Sequence, residues 1–277
     1  DAAAPAAGAA SAAARRAGVT VRSLDTPAGT AAAADLFSAI WHAPAEAAPV
    51  SADLMTAFAR TGNYVAGAYS GDALVGAAVA FFTDETPRVL HSHICGVAPA
   101  GLGRGVGFAL KLHQRAWALD RGIGTITWTV DPLVRRNIYF NLAKLGGTAT
   151  EHLLDYYGPM KDGVNVGDPS DRLLITWNLT APEVAAACAG SPVVVAAPAA
   201  PLLSTGAGGD PVRHFEIAGD HLRCELPDDI VALRRCDPEL ASTWRHSLRA
   251  ALVLALHEGY HIAGVDADGH YVLARRS

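Results

Sequence analysis

Several features that define common protein classes are scarce in this chain of 277 residues. No apolar stretch reaches the roughly 20 uninterrupted residues of a membrane-spanning helix. No long basic run is present, and the net charge is −5. These scarcities predict a protein that acts neither in a membrane nor on nucleic acid. Charged residues make up only 18% of the chain, which is ordinary for a compact enzyme.

Cysteine pairs are also missing. The chain has four scattered cysteines and no Cys-x-x-Cys pair: Cys95, Cys188, Cys224 and Cys236. This usage favours reduced thiols over a disulfide framework or a zinc site. Near the N-terminus, Arg15 and Arg16 follow the alanine run, whereas a signal peptide places its basic residues first. We therefore predict a cytoplasmic protein without a bound metal.

The order of predicted elements indicates an α+β protein. Residues 1–18 are predicted to be a flexible tail or a frayed helix. Residues 19–179 are predicted to form strands and helices in which an antiparallel meander precedes a strand–helix–strand unit. Residues 180–277 are predicted to form a small α+β extension. Its features are a hairpin at 214–226, a long helix after Asp237-Pro238 and two short final strands.

The most informative segment runs from Val97 to Gly107 and reads Val-Ala-Pro-Ala-Gly-Leu-Gly-Arg-Gly-Val-Gly. A β-rich stretch ends at Val97, and a helical pattern follows from about Arg104 to Arg121. A glycine-rich loop at the start of a helix leaves amide N–H groups unpaired at its positive end. Such a loop favours a phosphate or pyrophosphate ligand.

Other interpretations of this loop are weaker or less specific. It is not a Walker loop, because no Gly-Lys-Ser/Thr follows, and it is a poor dinucleotide fingerprint because its strand lies in a meander. Close packing of a strand against a helix also selects glycine. A second cue comes later in the chain, where a helix predicted to begin at Asp131-Pro132 carries Asn137 and ends at Gly146-Gly147.

Together, the loop and the Asn137 helix resemble the GNAT superfamily of acyl-CoA-dependent N-acyltransferases. The resemblance covers residues 19–179 and implies a mixed, mostly antiparallel sheet flanked by helices, with acetyl-CoA as the acyl donor. Leucine at 102 departs from the family pattern, which has Gln or Arg at that position. The resemblance implies cofactor contacts at Cys95, Val97, Leu102, Gly103, Arg104, Gly105, Val106, Gly107, Phe108, Asn137, Phe140 and Asn141.

The resemblance also suggests catalytic groups. His91, His93 and Cys95 alternate along the strand before the loop and are expected to share one face. His93 is the preferred general base, since histidine titrates near neutral pH. Leu142 stands where many family members have a tyrosine acid, so Tyr156 and Tyr139 are the candidate acids. The alternative for all three is a packing role in the sheet.

The predicted reaction is direct attack of an amine on the thioester, with no covalent enzyme intermediate. The predicted acceptor is a small-molecule or peptide amine, and the extension is predicted to shape the acceptor side or a homodimer contact. A second hypothesis is a non-catalytic CoA-binding sensor or interaction protein. It is motivated by Leu102 and Leu142, which replace side chains that active family members commonly carry.

Overall fold

The computed structural model describes residues 2–43, 48–158 and 169–276. Within these ranges the chain divides into two compact units. The first comprises residues 2–128, apart from 44–47, and 178–181. The second comprises residues 129–158, 169–177 and 182–276. The predicted functional division at residue 179 stays a prediction.

The first unit holds the N-terminal elements and most of the meander. Its helices and strands are α1 (Ala3–Ala17), β1 (Thr20–Ser23), α2 (Pro27–Trp41), α3 (Ala52–Arg60), β2 (Tyr64–Ser70), β3 (Ala73–Phe82), β4 (Leu90–Val97), α4 (Val106–Asp120) and the start of β5 (Thr125–Val130).

The larger sheet has seven strands in the order β1-β2-β3-β4-β5-β7-β6, where β6 is Thr148–Leu153 and β7 is Arg172–Asn178. Strands β1 to β4 pair antiparallel in sequence, β4 pairs parallel with β5, and β6 pairs antiparallel with β7. The predicted fold class, a mostly antiparallel mixed sheet flanked by helices, is therefore confirmed.

Alternation along β3 separates the two faces of this sheet. Val79 packs with Phe37 of α2 and Met55 of α3 in a buried apolar cluster. On the other face, a Cβ added to Gly76 would meet Val106 and Leu110 of α4 at 3.0 and 3.1 Å. The meander is thus covered by α2 and α3 on one face and by α4 on the other.

The N-terminal segment differs from the predicted flexible tail, because residues 3–17 form helix α1. Its alanines at 6, 10, 13 and 17 are buried, and α1 packs against α4. Gly18 ends the helix in the left-handed conformation, with φ +64°. Small side chains at helical spacing let the two helices approach closely, which composition alone did not reveal.

The second unit contains the end of β5 and the C-terminal elements. After β5 come α5 (Arg135–Tyr139), a π-helix over Phe140–Lys144, β6 and β7. The remaining elements are α6 (Pro182–Cys188), β8 (Ala200–Thr205), β9 (Pro211–Arg213), β10 (His221–Cys224), α7 (Ile230–Cys236), α8 (Pro238–His257), β11 (Tyr260–Val265) and β12 (Tyr271–Arg275). A second sheet has the order β11-β12-β10-β8-β9.

Two local predictions for this unit are wrong, and one is confirmed. Residues 214–226 do not form a hairpin, since β10 pairs parallel with β8 and antiparallel with β12. The helix expected at Pro132 begins at Arg135, because Val134 has a non-helical ψ of 84°. Asp237 caps α8 as predicted, accepting the Leu240 N–H at 3.0 Å.

None of the described helices combines the length and apolarity that a bilayer crossing requires.

Candidate functional site

The glycine-rich loop leads from β4 into α4 with open space above its backbone. After a single 3-10 turn over Pro99–Gly101, Gly103 and Gly105 adopt φ angles of +73° and +85°. A Cβ added at either position would meet no heavy atom within 4 Å. Glycine is therefore required here by backbone conformation rather than by packing, and the loop surface stays accessible to a ligand.

Helix α4 begins without a side-chain cap. Its N-cap residue is Gly105, and no acidic residue occupies its first turn. No described side chain accepts the Val106 or Gly107 N–H groups. Helix termini normally satisfy such groups with a cap, water or a ligand. The uncapped end carries the positive pole of a helix of 15 residues, so it suits an anion.

The charged side chain of this loop points to structural partners. The Arg104 guanidinium donates to the carbonyl oxygens of Ala17 and Gly18 at 3.2 and 3.4 Å, and to Ser70 Oγ at 3.2 Å. Arg104 thus joins the loop to the end of α1. Leu102 is 64% exposed and offers no polar group, so any anion contact at 102–107 falls to the backbone amides.

Strand β4 parts from β5 before it reaches the loop. The two strands pair at Leu90 with Ile126 and at His91 with Thr127. Strand β4 then continues for six more residues to Val97, and no further pair between these strands occurs in the described part of the chain. The β5-facing edge of β4 beyond His91 is therefore available to an extended ligand.

A β-bulge at His93 changes the side-chain pattern of β4. Ala80 of β3 pairs with Ser92, and Val79 pairs with Ile94, so His93 is the extra residue. Beyond a bulge of this kind the alternation of side chains is reversed. The expectation that Cys95 shares a face with His91 is therefore wrong: Cys95 lies with Ser92 on the α4 face.

The two histidines of β4 flank one aromatic ring on the other side. Phe81 lies 5.4 Å from the His91 ring and 5.9 Å from the His93 ring. Burial lowers the pKa of His91 below 6.5, and the nearby positive charges of His93 and Lys111 lower it further. His93 keeps an exposed edge, yet the surrounding protein still lowers its pKa by desolvation. The neutral form of both rings therefore predominates at pH 7, and His93, the more exposed of the two, can accept a proton.

The α4 face of β4 carries a group that the sequence pattern did not single out. Lys111 is 5% exposed, and its Nζ donates to Ser92 Oγ at 2.8 Å. Burial raises the pKa of the Cys95 thiol, so this cysteine is protonated and a poor nucleophile at pH 7. One signal was available in the sequence, namely a lysine between the apolar residues Leu110 and Leu112.

The second unit holds the other predicted cofactor residues. Asn137 is exposed on α5, whereas Asn141 is buried in the π-helix and donates its Nδ2 to the Asn137 carbonyl at 2.7 Å. Tyr139 and Phe140 are half-buried where α5 meets the π-helix. Asn137 therefore offers its side chain to solvent, and the Asn141 amide is used within the helix.

Tyr156 lies on a constrained turn of the second unit and is 48% exposed. Asp155 before it has a φ of +49°, which is uncommon for a residue other than glycine. The Asp155 carboxylate accepts the Ser170 N–H at 3.1 Å, and its own N–H donates to Asp171 at 3.0 Å. Because local strain of this kind persists only when surrounding bonds hold it, the turn fixes Tyr156 at the surface.

The described residues contain no cluster of three or more His, Cys, Asp or Glu side chains that could hold a metal ion.

Comparison with known proteins gives a family match. Residues 30–146 match the model of the acetyltransferase (GNAT) family. No curated protein sequence matches significantly.

Solved structures give weaker similarities. An acetyltransferase of the GNAT family from Desulfovibrio desulfuricans has 18% identity and a TM-score of 0.48, with 58% of this chain and 99% of that chain covered. An acetyltransferase from Salmonella typhimurium, solved with acetyl-CoA, has 19% identity, a TM-score of 0.48 and coverage of 59% and 95%. The ribosomal-protein-S18-alanine N-acetyltransferase from Escherichia coli has 19% identity, a TM-score of 0.47 and the same coverage.

Proposed function

We propose that this chain is an N-acyltransferase that uses acetyl-CoA, since residues 30–146 match the model of the acetyltransferase (GNAT) family. The observation that carries the proposal is the uncapped start of α4, which the glycine-rich loop joins to β4 and which lies inside the matched segment. The open backbone of Gly103 and Gly105 leaves room for a pyrophosphate. Amides from Gly103 to Phe108 would bind it by hydrogen bonds and by the helix dipole.

The free edge of β4 gives the thioester a second binding surface. Beyond His91 the strand has no β5 partner in the described residues. Backbone N–H groups between Ile94 and Val97 would bind the thioester carbonyl oxygen and stabilise the negative charge that develops on it. Cys95 and Val97 would line this segment from the α4 face.

The chemistry proposed is direct transfer. The amine nitrogen attacks the thioester carbonyl carbon, the C–S bond breaks, and the proton lost by nitrogen passes to His93 Nδ1 or Nε2. The thiolate takes up a proton from Tyr156 or Tyr139, which remain the candidate acids. The protonated state of Cys95 supports a mechanism without an acyl-cysteine intermediate.

Binding of the cofactor is tested by thermal shift with acetyl-CoA, CoA and ATP. A ligand that binds only the folded state raises the melting temperature. We expect acetyl-CoA and CoA to stabilise the protein and ATP to leave it unchanged. Stabilisation by ATP alone would exclude the proposal.

Catalysis is tested by thiol release from acetyl-CoA over a panel of amines, amino acids and peptides. Turnover identifies an enzyme, whereas binding without turnover for any acceptor identifies the CoA-binding sensor that Leu102 and Leu142 favour. For His93→Gln we expect loss of rate at least tenfold with CoA binding retained. Tyr156→Phe and Tyr139→Phe identify the acid; full rate in all three variants would refute these roles.

The pH dependence of the rate supplies an independent check on His93. Burial lowers its pKa below 6.5, so the neutral base predominates at pH 7 and is lost as the pH falls. The wild-type kcat/KM should therefore decline on the acid side, and His93→Gln should lack that decline. His257→Gln, at a side chain that is 83% exposed, is the matched control and should keep the wild-type profile.

A further inference from the structure

The second unit contains a cavity that has no role in the proposed acetyl transfer. Its volume is about 530 Å³, within the range of small-molecule sites in proteins. Every described residue that lines it belongs to the second unit. The cavity lies at one end of the second sheet, where Thr205 ends β8, Glu225 follows β10 and His270 precedes β12.

Part of the cavity lining is apolar. Leu233 of α7 and Leu240 of α8 are half-buried there. Trp244 of α8 also lines the cavity and is fully buried. Its Nε1–H donates to the Gly209 carbonyl at 3.0 Å, so the one polar group of the indole already has a partner. These three side chains therefore offer a bound molecule apolar contacts.

The polar lining includes His270, whose tautomer is fixed by a backbone group. The residue is 8% exposed, and its ring Nδ1 accepts the Leu226 N–H at 2.9 Å. Burial lowers the pKa of His270, and the charge of Arg223 lowers it further, so the neutral ring predominates at pH 7. A neutral imidazole with an accepting Nδ1 has its proton on Nε2. His270 therefore presents an Nε2–H donor.

That donor meets a second donor instead of an acceptor. Arg135 Nη1 lies 3.4 Å from His270 Nε2. Both nitrogens carry hydrogen, so this contact is not a hydrogen bond. In the described part of the chain, Nε2 has no other polar neighbour within hydrogen-bond distance. A buried donor without an acceptor is costly, and two donors that converge in this way suit an oxygen atom of a ligand.

The turn between β11 and β12 holds both donors in place. Asp266 Oδ1 accepts the N–H groups of Asp268 and His270 at 3.0 and 2.9 Å. Gly269 in the same turn has a φ of +84°, and a Cβ there would lie 3.4 Å from Arg135 Cγ. The two donors are thus positioned before any ligand arrives, which reduces the cost of ordering them on binding.

Three carboxylates also line the cavity, and one of them is accessible. Glu225 is paired with Arg223, and Asp229 accepts N–H groups of α7. Asp228 is 91% exposed and pairs at 2.9 Å with Nη2 of Arg135, the residue whose Nη1 faces His270. The lining therefore places an accessible anion beside a cation, next to apolar side chains.

We propose that this cavity binds a free α-amino acid with an apolar side chain. The carboxylate of the amino acid accepts from Arg135 Nη1 and His270 Nε2, and its ammonium binds Asp228. Its side chain packs against Leu233 and Leu240. An anion alone would face three carboxylates, and a cation alone would leave the two donors without an acceptor. The inference goes beyond the proposed acetyl transfer and does not depend on it.

Titration calorimetry of the full chain with L-phenylalanine and L-leucine, without acetyl-CoA, tests the site directly. We expect saturable binding at millimolar concentrations. 3-Phenylpropionate lacks the ammonium and phenethylamine lacks the carboxylate, so each should bind at least tenfold more weakly than L-phenylalanine. The proposal is overturned if neither amino acid binds, or if either analogue binds as tightly as L-phenylalanine.

A pair of arginine variants tests the carboxylate contact. Arg135→Met should weaken amino-acid binding at least tenfold, with little change in melting temperature because its partner Asp228 is exposed. Arg136→Met is the matched control, since Arg136 is exposed on the same helix and does not line the cavity. It should keep the wild-type affinity. Equal affinities of the two variants would contradict the site.

A third measurement uses the wild type alone. Proton–nitrogen correlation spectra of protein with ¹⁵N-labelled histidine report the tautomer of each ring. At pH 7 His270 should have its proton on Nε2, and its ring signals should shift when L-phenylalanine is added. The signals of His257, whose side chain is 83% exposed, should not move. A proton on Nδ1 of His270, or an unchanged His270 spectrum, would refute the proposal even if Arg135→Met did not fold.

Discussion

His91 and Thr127 face each other at the last paired position of β4 and β5, with Nδ1 and Oγ1 3.1 Å apart. This hydrogen bond joins the two strands where they separate. Beyond this position β4 and β5 have no further pair in the described residues.

Removing the hydroxyl of Thr127 should loosen this junction. Thr127→Val keeps the shape of the side chain but loses the hydrogen bond, so we expect about 1 kcal/mol less stability and a several-fold lower kcat. Denaturant unfolding and steady-state kinetics measure both effects. Thr125→Val, on the same face of β5, is the control. Equal effects of the two substitutions would show that the His91 contact contributes nothing specific.

Substituting two glycines of positive φ, one in the loop and one outside it, should distinguish a loss of ligand binding from the cost of backbone strain. Gly105→Ala places a Cβ in the open space above the loop at a φ of +85°, so we expect about 1 kcal/mol of destabilisation and at least tenfold weaker binding of acetyl-CoA. Gly71→Ala imposes comparable strain in the β2–β3 turn, at a φ of +59° with nothing nearby. Calorimetric titration should show unchanged affinity for Gly71→Ala, and a similar loss in both variants would contradict the anion site.

We predict that the Arg104 side chain stabilises the fold and does not bind the ligand. Because its guanidinium binds the end of α1 and Ser70, Arg104→Ala should increase hydrogen exchange in α1 and lower the melting temperature. The affinity for CoA should change less than threefold, since the backbone amides of the loop remain. Arg16→Ala, at an exposed position of α1, serves as the control. A tenfold loss of CoA affinity in Arg104→Ala would instead assign its side chain to the ligand.

Asp131 should control the stability of the second unit in acid. Although burial alone would raise its pKa, Arg245, Arg234 and the Leu133 N–H lower it from 3.8 to about 2. The folded-state pKa is depressed, so this contribution is present above pH 4 and is lost as the pH falls toward 2. Its size is on the order of 2 kcal/mol.

The corresponding variant removes the charge altogether. Asp131→Asn removes a carboxylate that pairs with two buried arginines, Arg234 and Arg245, and should cost about 3–5 kcal/mol. Asp228→Asn is the matched control, because its carboxylate is 91% exposed and pairs with Arg135 at 2.9 Å; it should cost under about 1 kcal/mol. Urea unfolding at pH 7 and at pH 3 measures both, and equal costs would refute the buried role of Asp131.

The local pattern of the sequence determined much of the fold. Alternation predicted β3 and β5 at their observed bounds, a turn at Gly71, and the order strand, glycine-rich loop, helix that places Gly103 and Gly105 at the start of α4. These features follow from interactions between residues a few positions apart, which the sequence displays directly. The roles of His93, Tyr156 and Tyr139 stay predictions.

Tertiary structure alone decided which side chains meet. The bulge at His93 depends on the register with β3, and it moved Cys95 to the α4 face. In the sequence Lys111 looks like an ordinary helix residue. Only the burial of α4 in the folded protein places its ammonium against Ser92 and Trp128. The sequence around Asp131 predicts a helix cap, whereas in the structure its carboxylate binds Arg245, 114 positions away. Register and the partners of buried charges are set by contacts between distant segments, and no local period encodes them.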